Sequence, residues 1–106
     1  MANTFKNYLA SAVGTSAVTV YTVPSATTAV TIGMNIANIA TSQVNVSAYV
    51  TSGGTDYYIV KDAPIPAGAA LSVLDGKIIF EAADVVKVVS SAASSADVIL
   101  SVLEQS

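Results

Sequence analysis

Over most of this chain apolar residues recur at every second position, a period that lines one face of a β-strand and no face of a helix. In residues 17–23 (AVTVYTV), Val18 and Val20 fall on one face while Thr19 and Tyr21 fall on the other. Pro24 then ends the ladder, because it has no N–H to donate. Residues 28–38 (TAVTIGMNIAN) set Val30, Ile32, Met34 and Ile36 against Thr31, Gly33 and Asn35. Residues 43–51 (QVNVSAYVT) repeat the pattern with Val44, Val46, Ala48 and Val50. Only a short link at residues 40–42 separates these last two segments, which predicts that they are antiparallel neighbours.

Turn chemistry punctuates the strands. Ser52-Gly53-Gly54-Thr55 tolerates positive φ and predicts a tight hairpin before a strand at residues 57–61. Residues 62–68, with Pro64, Pro66 and Gly68, predict an ordered loop. Asp75-Gly76, between apolar runs at 71–74 and 77–80, is the strongest short hairpin signal in the chain. Residues 85–89 and 97–103 are nearly continuous in apolar residues, which predicts strands at a sheet centre or in a subunit interface. Phe5, Tyr8, Leu9 and Ala12 have helical spacing, but Gly14 breaks it, so residues 1–14 are predicted as an N-terminal arm or edge segment. The fold class that follows is all-β. Residues 15–106 form a single β-sandwich or jelly-roll-like domain of about seven to eight antiparallel strands.

Composition narrows the function classes. Charged residues make up 10% of the chain and the net charge is −3. The basic residues are Lys6, Lys61, Lys77 and Lys87, with no Arg, which is too little positive charge to release counterions from a nucleic acid. The opening residues show no charged segment followed by an apolar one, so no secretory signal is expected. No apolar run approaches the ~20 residues of a membrane-spanning helix, so no membrane partner is expected either. So uncharged a surface suits a chain that lives packed against neighbours, where every charge would need a partner.

Catalysis has little to work with. The chain contains no His and no Cys, which removes the usual general base, thiol chemistry and His/Cys metal sites. Asp56, Asp62, Asp75, Glu81, Asp84, Asp97 and Glu104 are scattered and form no calcium loop. Glu81 and Asp84 come closest to a carboxylate pair, but they flank a short turn. Asn45-Val46-Ser47 matches a glycosylation acceptor without a secretory context, and Gly53-Gly54 leads into no phosphate-binding helix. The expectation is a protein with no enzymatic activity, no catalytic residues, no cofactor and no metal. Tyr57 and Tyr58, adjacent on a strand, point to opposite faces; one is expected to pack inward and the other to serve a contact.

Residues 20–24 (VYTVP), 30–38 (VTIGMNIAN), 56–68 (DYYIVKDAPIPAG) and 97–104 (DVILSVLE) resemble a group of small virion proteins of tailed phages, notably those infecting marine bacteria and cyanobacteria. One departure is visible: relatives often carry Gly-Asp at a turn where this chain has Ala83-Asp84. The resemblance implies a capsid decoration or cement protein, made in the host cytoplasm and carried on the capsid surface of the virion. Its partner would be the major capsid protein or another virion protein. Open sheet edges imply a closed homo-oligomer, a trimer before a dimer. Phe5, Tyr8 and Leu9 would anchor an N-terminal strap on a neighbour, and Tyr57, Tyr58, Pro64, Ile65 and Pro66 would supply further partner contacts. A tail, neck or fibre adaptor is the alternative, or an adhesion module that presents the tyrosines and the proline loop to host glycans.

Overall fold

Valine, isoleucine and threonine at alternating positions favour the pleated surface of a sheet, and the chain obeys throughout. The structure is a computed structural model that describes residues 3–73 and 77–106. Its elements are β1 (Asn3–Val13), β2 (Val18–Thr22), β3 (Thr28–Asn38), β4 (Val44–Ser52), β5 (Thr55–Ile65), β6 (Ala70–Ser72), β7 (Ile79–Phe80), β8 (Val85–Ser90) and β9 (Ala96–Gln105). Every strand pair among them is antiparallel.

Two sheets pack face to face. Sheet A runs β1-β9-β3-β6, with β7 also on β3, and sheet B runs β2-β8-β4-β5. β6 pairs with residues 35–37 of β3 and β7 with residues 29–30, so they lie end to end along the same edge. Counted as one interrupted strand, they give eight strands whose connections, all but the β4–β5 hairpin, pass between the sheets, the arrangement of a jelly roll. The fold is the all-β sandwich that the strand pattern predicts.

Three local expectations need correction. β3 and β4 are not neighbours; they lie in different sheets, and the short link between them crosses the sandwich. Residues 70–72 and 79–80, on either side of Asp75-Gly76, pair with β3 rather than with each other; Leu74, Asp75 and Gly76 lie outside the described residues. The face assignments in β2 and β3 also slip by one. β-bulges at Val20 and Ile32 each insert an extra residue, which moves every following side chain to the other face. Tyr21 therefore points inward rather than out. Val30 and Ile32 point outward, while Thr31, Met34 and Ile36 are buried.

The core lies between the sheets. β9 contributes Val98, Leu100 and Val102, β8 contributes Val86 and Val88, and β4 contributes Val44, Val46 and Ala48. Met34, Ile36, Ile65 and Phe80 fill the remaining space. Each of the larger side chains contributes about 1.5–3 kcal/mol of burial. Asn38, at the end of β3, is the principal buried polar group. Its Nδ2 donates to the carbonyls of Ser42 and Ile65, both at 2.9 Å, and its Oδ1 accepts from the Ala40 amide at 2.8 Å. One side chain thus fixes the crossover from sheet A to sheet B.

The predicted hairpin between β4 and β5 is present: Ser52 faces Thr55, and Gly53 and Gly54 have φ of 60° and 81°. Ala83 has no such freedom and is held at a φ of 72°. Its turn is closed by the Asp84 amide donating to the Glu81 carbonyl, while the Asp84 carboxylate accepts from the Glu81 amide at 2.9 Å. A left-handed conformation costs an L-residue roughly 1–2 kcal/mol. Ala83→Gly is therefore expected to stabilise the fold by about 0.5–1 kcal/mol net, despite glycine's greater freedom when unfolded. The midpoint of urea unfolding checks this, and an unchanged or lower midpoint would contradict it.

Candidate functional site

The register of sheet A sets an apolar surface on the side facing away from the core. On β9 the inward residues are Val98, Leu100 and Val102, so Ile99, Ser101 and Leu103 face out. Phe5 stands opposite Leu103, Leu103 opposite Val30, and Val30 opposite Ile79, a row of four apolar side chains across four strands. The next row is small and polar: Asn7, Ser101 and Gly33. The third is Leu9, Ile99 and Asn35. Ile32, lifted by its bulge, overlooks a shallow groove lined with Phe5, Lys6, Asn7 and Ser101.

These side chains meet solvent. Phe5 is 75% exposed, Leu9 63% and Ile79 63%, with Ile32 and Ile99 about half exposed. No charged side chain stands in the three rows. Five groups of this size amount to the roughly 300–600 Å² of the largest apolar patch on a typical monomer, a patch that is often functional. Only part of the patch is legible in the strand pattern, which places Val30 and Ile32 in the core; Gly33, a glycine inside a strand, is the sequence signal of the bulge that turns them out.

Behind the patch, β1 is held to the sandwich by a polar clasp. Tyr8 on β1 and Tyr21 on β2 stack with ring centroids 4.1 Å apart. Both hydroxyls donate to Glu104 Oε2, each at 2.6 Å. Glu104 continues the inward phase of β9, so its carboxylate sits at the end of the sandwich between the two sheets. The two phenol hydrogen bonds hold its pKa below the usual carboxylate value, Tyr21 contributing most, with burial opposing and Lys6 assisting. Burial first, and then the bond to Glu104, pushes the Tyr8 phenol up to about 12 and raises Tyr21 further. The bulge at Val20 is what swings Tyr21 into this position. Glu104 carries no role in the sequence reading, although its phase with Leu100 and Val102 marks it as an inward carboxylate.

The structure divides the predicted contact residues. Phe5 and Leu9 lie on the apolar face. Tyr8 does not: half-buried, stacked on Tyr21 and bonded to Glu104, it anchors β1 to its own domain. Residues 3–13 form an edge strand of sheet A, not a free strap. Ile65 is fully buried in the core and unavailable to any partner. Pro64 and Pro66 are exposed beside it at the end of β5. Neither Tyr57 nor Tyr58 packs fully inward, at 57% and 49% exposed, because β5 is an edge strand. Tyr58 lies against Tyr49, centroids 5.0 Å apart, with the Lys61 ammonium 5.1 Å from its ring. Among the described residues no three Asp or Glu side chains gather as a metal site would require.

No protein-family model and no curated protein sequence matches the chain. Among solved structures, the fold is similar to that in work describing Bacillus endospore appendages as a family of disulfide-linked pili. The superposition has a TM-score of 0.58 at 13% sequence identity, and covers 98% of this chain and 88% of that one. What the two chains share is a fold, over nearly the whole of both.

Proposed function

We propose that this chain is a non-enzymatic structural subunit that works packed against neighbours in a large particle, as a capsid decoration protein of a virion. The observation that carries the proposal is the uncharged apolar row Phe5–Leu103–Val30–Ile79 on the solvent side of sheet A. Covering ~400 Å² of that face contributes roughly 10 kcal/mol before the costs of association. The resemblance of residues 20–24, 30–38, 56–68 and 97–104 to small phage virion proteins supplies the particle. A flat sheet face seats on a shell without inserting into it, which is what a cement protein needs.

The similarity in fold to a pilus protein favours a second reading, a subunit of a fibre or tail. The pili are described as disulfide-linked. This chain has no cysteine, so disulfides between these residues would not hold a polymer of it together.

Cryo-electron microscopy of the particle that carries this chain tests the two readings. Density repeated over a shell lattice, with sheet A facing the shell, is the expected result. Density confined to fibres, neck or tail would replace the first reading with the second. A chain found in no particle, and monomeric at high concentration, would remove both. Ile32→Ser with Ile79→Ser is a finer check. Both residues are exposed, so stability is expected to change by no more than about 1 kcal/mol in total. Attachment to the particle is expected to weaken at least tenfold, measured by co-sedimentation.

A further inference from the structure

β1 is the open edge of sheet A, and from Asn3 to Ala10 it carries less protection than the other edges: one lysine, Lys6, with a bulge and the left-handed Ala12 (φ 53°) only beyond that stretch. Natural sheets block their edges with proline, lysine, bulges or short strands. On sheet B, β5 has Lys61, a bulge with Asp62 at a φ of 51°, and Pro64. β2, the other edge of that sheet, is five residues long and bulged. The far edge of sheet A is broken into β6 and β7. β1, by contrast, runs straight from Asn3 to Ala10 in unbroken register with β9, and it contains no proline or glycine. Its only charged side chain is Lys6.

We infer that β1 pairs with β1 of a second copy of this chain, antiparallel about a two-fold axis through Asn7. The inference rests on the assembly reading above and names the first neighbour. Three constraints fix the register. The outward residues of both copies must stay on the same side, or the apolar face of one would continue into the inner face of the other. That requires paired residues of equal parity. An axis through Lys6 fails because it sets the two Lys6 ammonium groups directly opposite each other and Phe5 against Asn7. Axes through Phe5, Tyr8 or Leu9 shorten the ladder or run it into the bulge that follows Ala10.

An axis through Asn7 meets all three. It sets Phe5 of each copy opposite Leu9 of the other, two aromatic–aliphatic pairs of the kind that stabilise antiparallel sheets. Asn7 faces itself, and Thr4 faces Ala10. Lys6 of each copy comes alongside Tyr8 of the other, whose hydroxyl is bonded to the Glu104 carboxylate, so opposite charges are drawn near. The apolar rows of the two copies then join into one surface twice as wide. A two-fold pairing of this kind gives a dimer, not the trimer expected from the sequence.

The chain has no cysteine, so single introduced thiols report cleanly. Asn7→Cys in the full-length protein is expected to cross-link to a dimer under mild oxidation, or with a short bismaleimide, at least tenfold faster than Asn3→Cys. A residue on the axis faces its own copy at the distance a disulfide needs, whereas residue 3 does not. Equal rates for the two variants, or no cross-link at residue 7 by either reagent, would overturn the pairing. If the wild-type chain still binds the particle in that case, the assembly reading survives and only the β1 contact is lost. If it also stays monomeric and binds no particle, both fall.

Discussion

Asn38→Ala is expected to lower the stability of the fold by about 3 kcal/mol, with a fall in melting temperature of roughly 12–20 °C. The side chain that is removed makes three hydrogen bonds at once. Two satisfy carbonyls, that of Ser42 within the β3–β4 crossover and that of Ile65 at the end of β5, and the latter is buried where water cannot replace the donor. The third fixes the amide of Ala40 as the chain leaves sheet A. Asn38→Asp sharpens the test. The carboxylate still accepts from Ala40, but it donates nothing and faces two carbonyl oxygens, so it is expected to be at least as damaging as alanine. Chemical denaturation of both variants measures the effect; a loss below about 1 kcal/mol for each would show that the crossover is held by other means.

The second large effect is expected at Glu104. Glu104→Ala removes the acceptor shared by Tyr8 and Tyr21 and leaves two partly buried phenols without it, at a cost of about 2–3 kcal/mol. Glu104→Gln keeps an acceptor oxygen but not its charge, and about 1 kcal/mol is expected. Because Tyr8 is the inward anchor of β1, amide hydrogen exchange over Asn3–Val13 should rise more than elsewhere. Uniform acceleration across both sheets would argue against a local clasp.

The same cluster gives the wild-type protein a pH profile. Glu104 is held below its ordinary value of 4.5, so the stability it contributes is present above that pH and lost as the pH falls through its folded-state value. Tyr8 is raised from 10.0 to about 12, so its contribution is present below pH 10 and lost as the pH rises through that higher value. A plateau of thermal stability between about pH 5 and 10 is expected, with a fall on each side. In Glu104→Ala both limbs should be shallower. Melting curves across this range decide it.

Strand positions were legible in the sequence because period-two patterning is local. The hairpin at Gly53-Gly54 was legible because its backbone needs residues that accept positive φ. Partnership was not. The link between β3 and β4 is as short as a hairpin loop, yet it crosses between sheets, and nothing local separates those outcomes. Nor does alternation count bulges: one extra residue at Val20 and another at Ile32 reversed the faces of Tyr21, Val30 and Ile32. Those two insertions make the clasp and much of the apolar surface, so the site was least readable where the ladder is least regular. Phe5 and Leu9, ahead of any bulge, could be singled out from the sequence. Ile65 shows the opposite error, a residue between two prolines that reads as loop and packs as core.

The pairing of β1 with β9 joins the two strands farthest apart in sequence among the described residues. Sheet A cannot close until β9 has been made, because β9 is its central member and separates β1 from β3. For the several seconds that translation from β1 to β9 takes, the nascent polypeptide carries β1 and β3 with no partner between them. Contacts so distant in sequence also make for slow folding. Emergence of β9 therefore times the closure of this sheet, and a nascent chain stalled just before β9 would be the form most prone to clump.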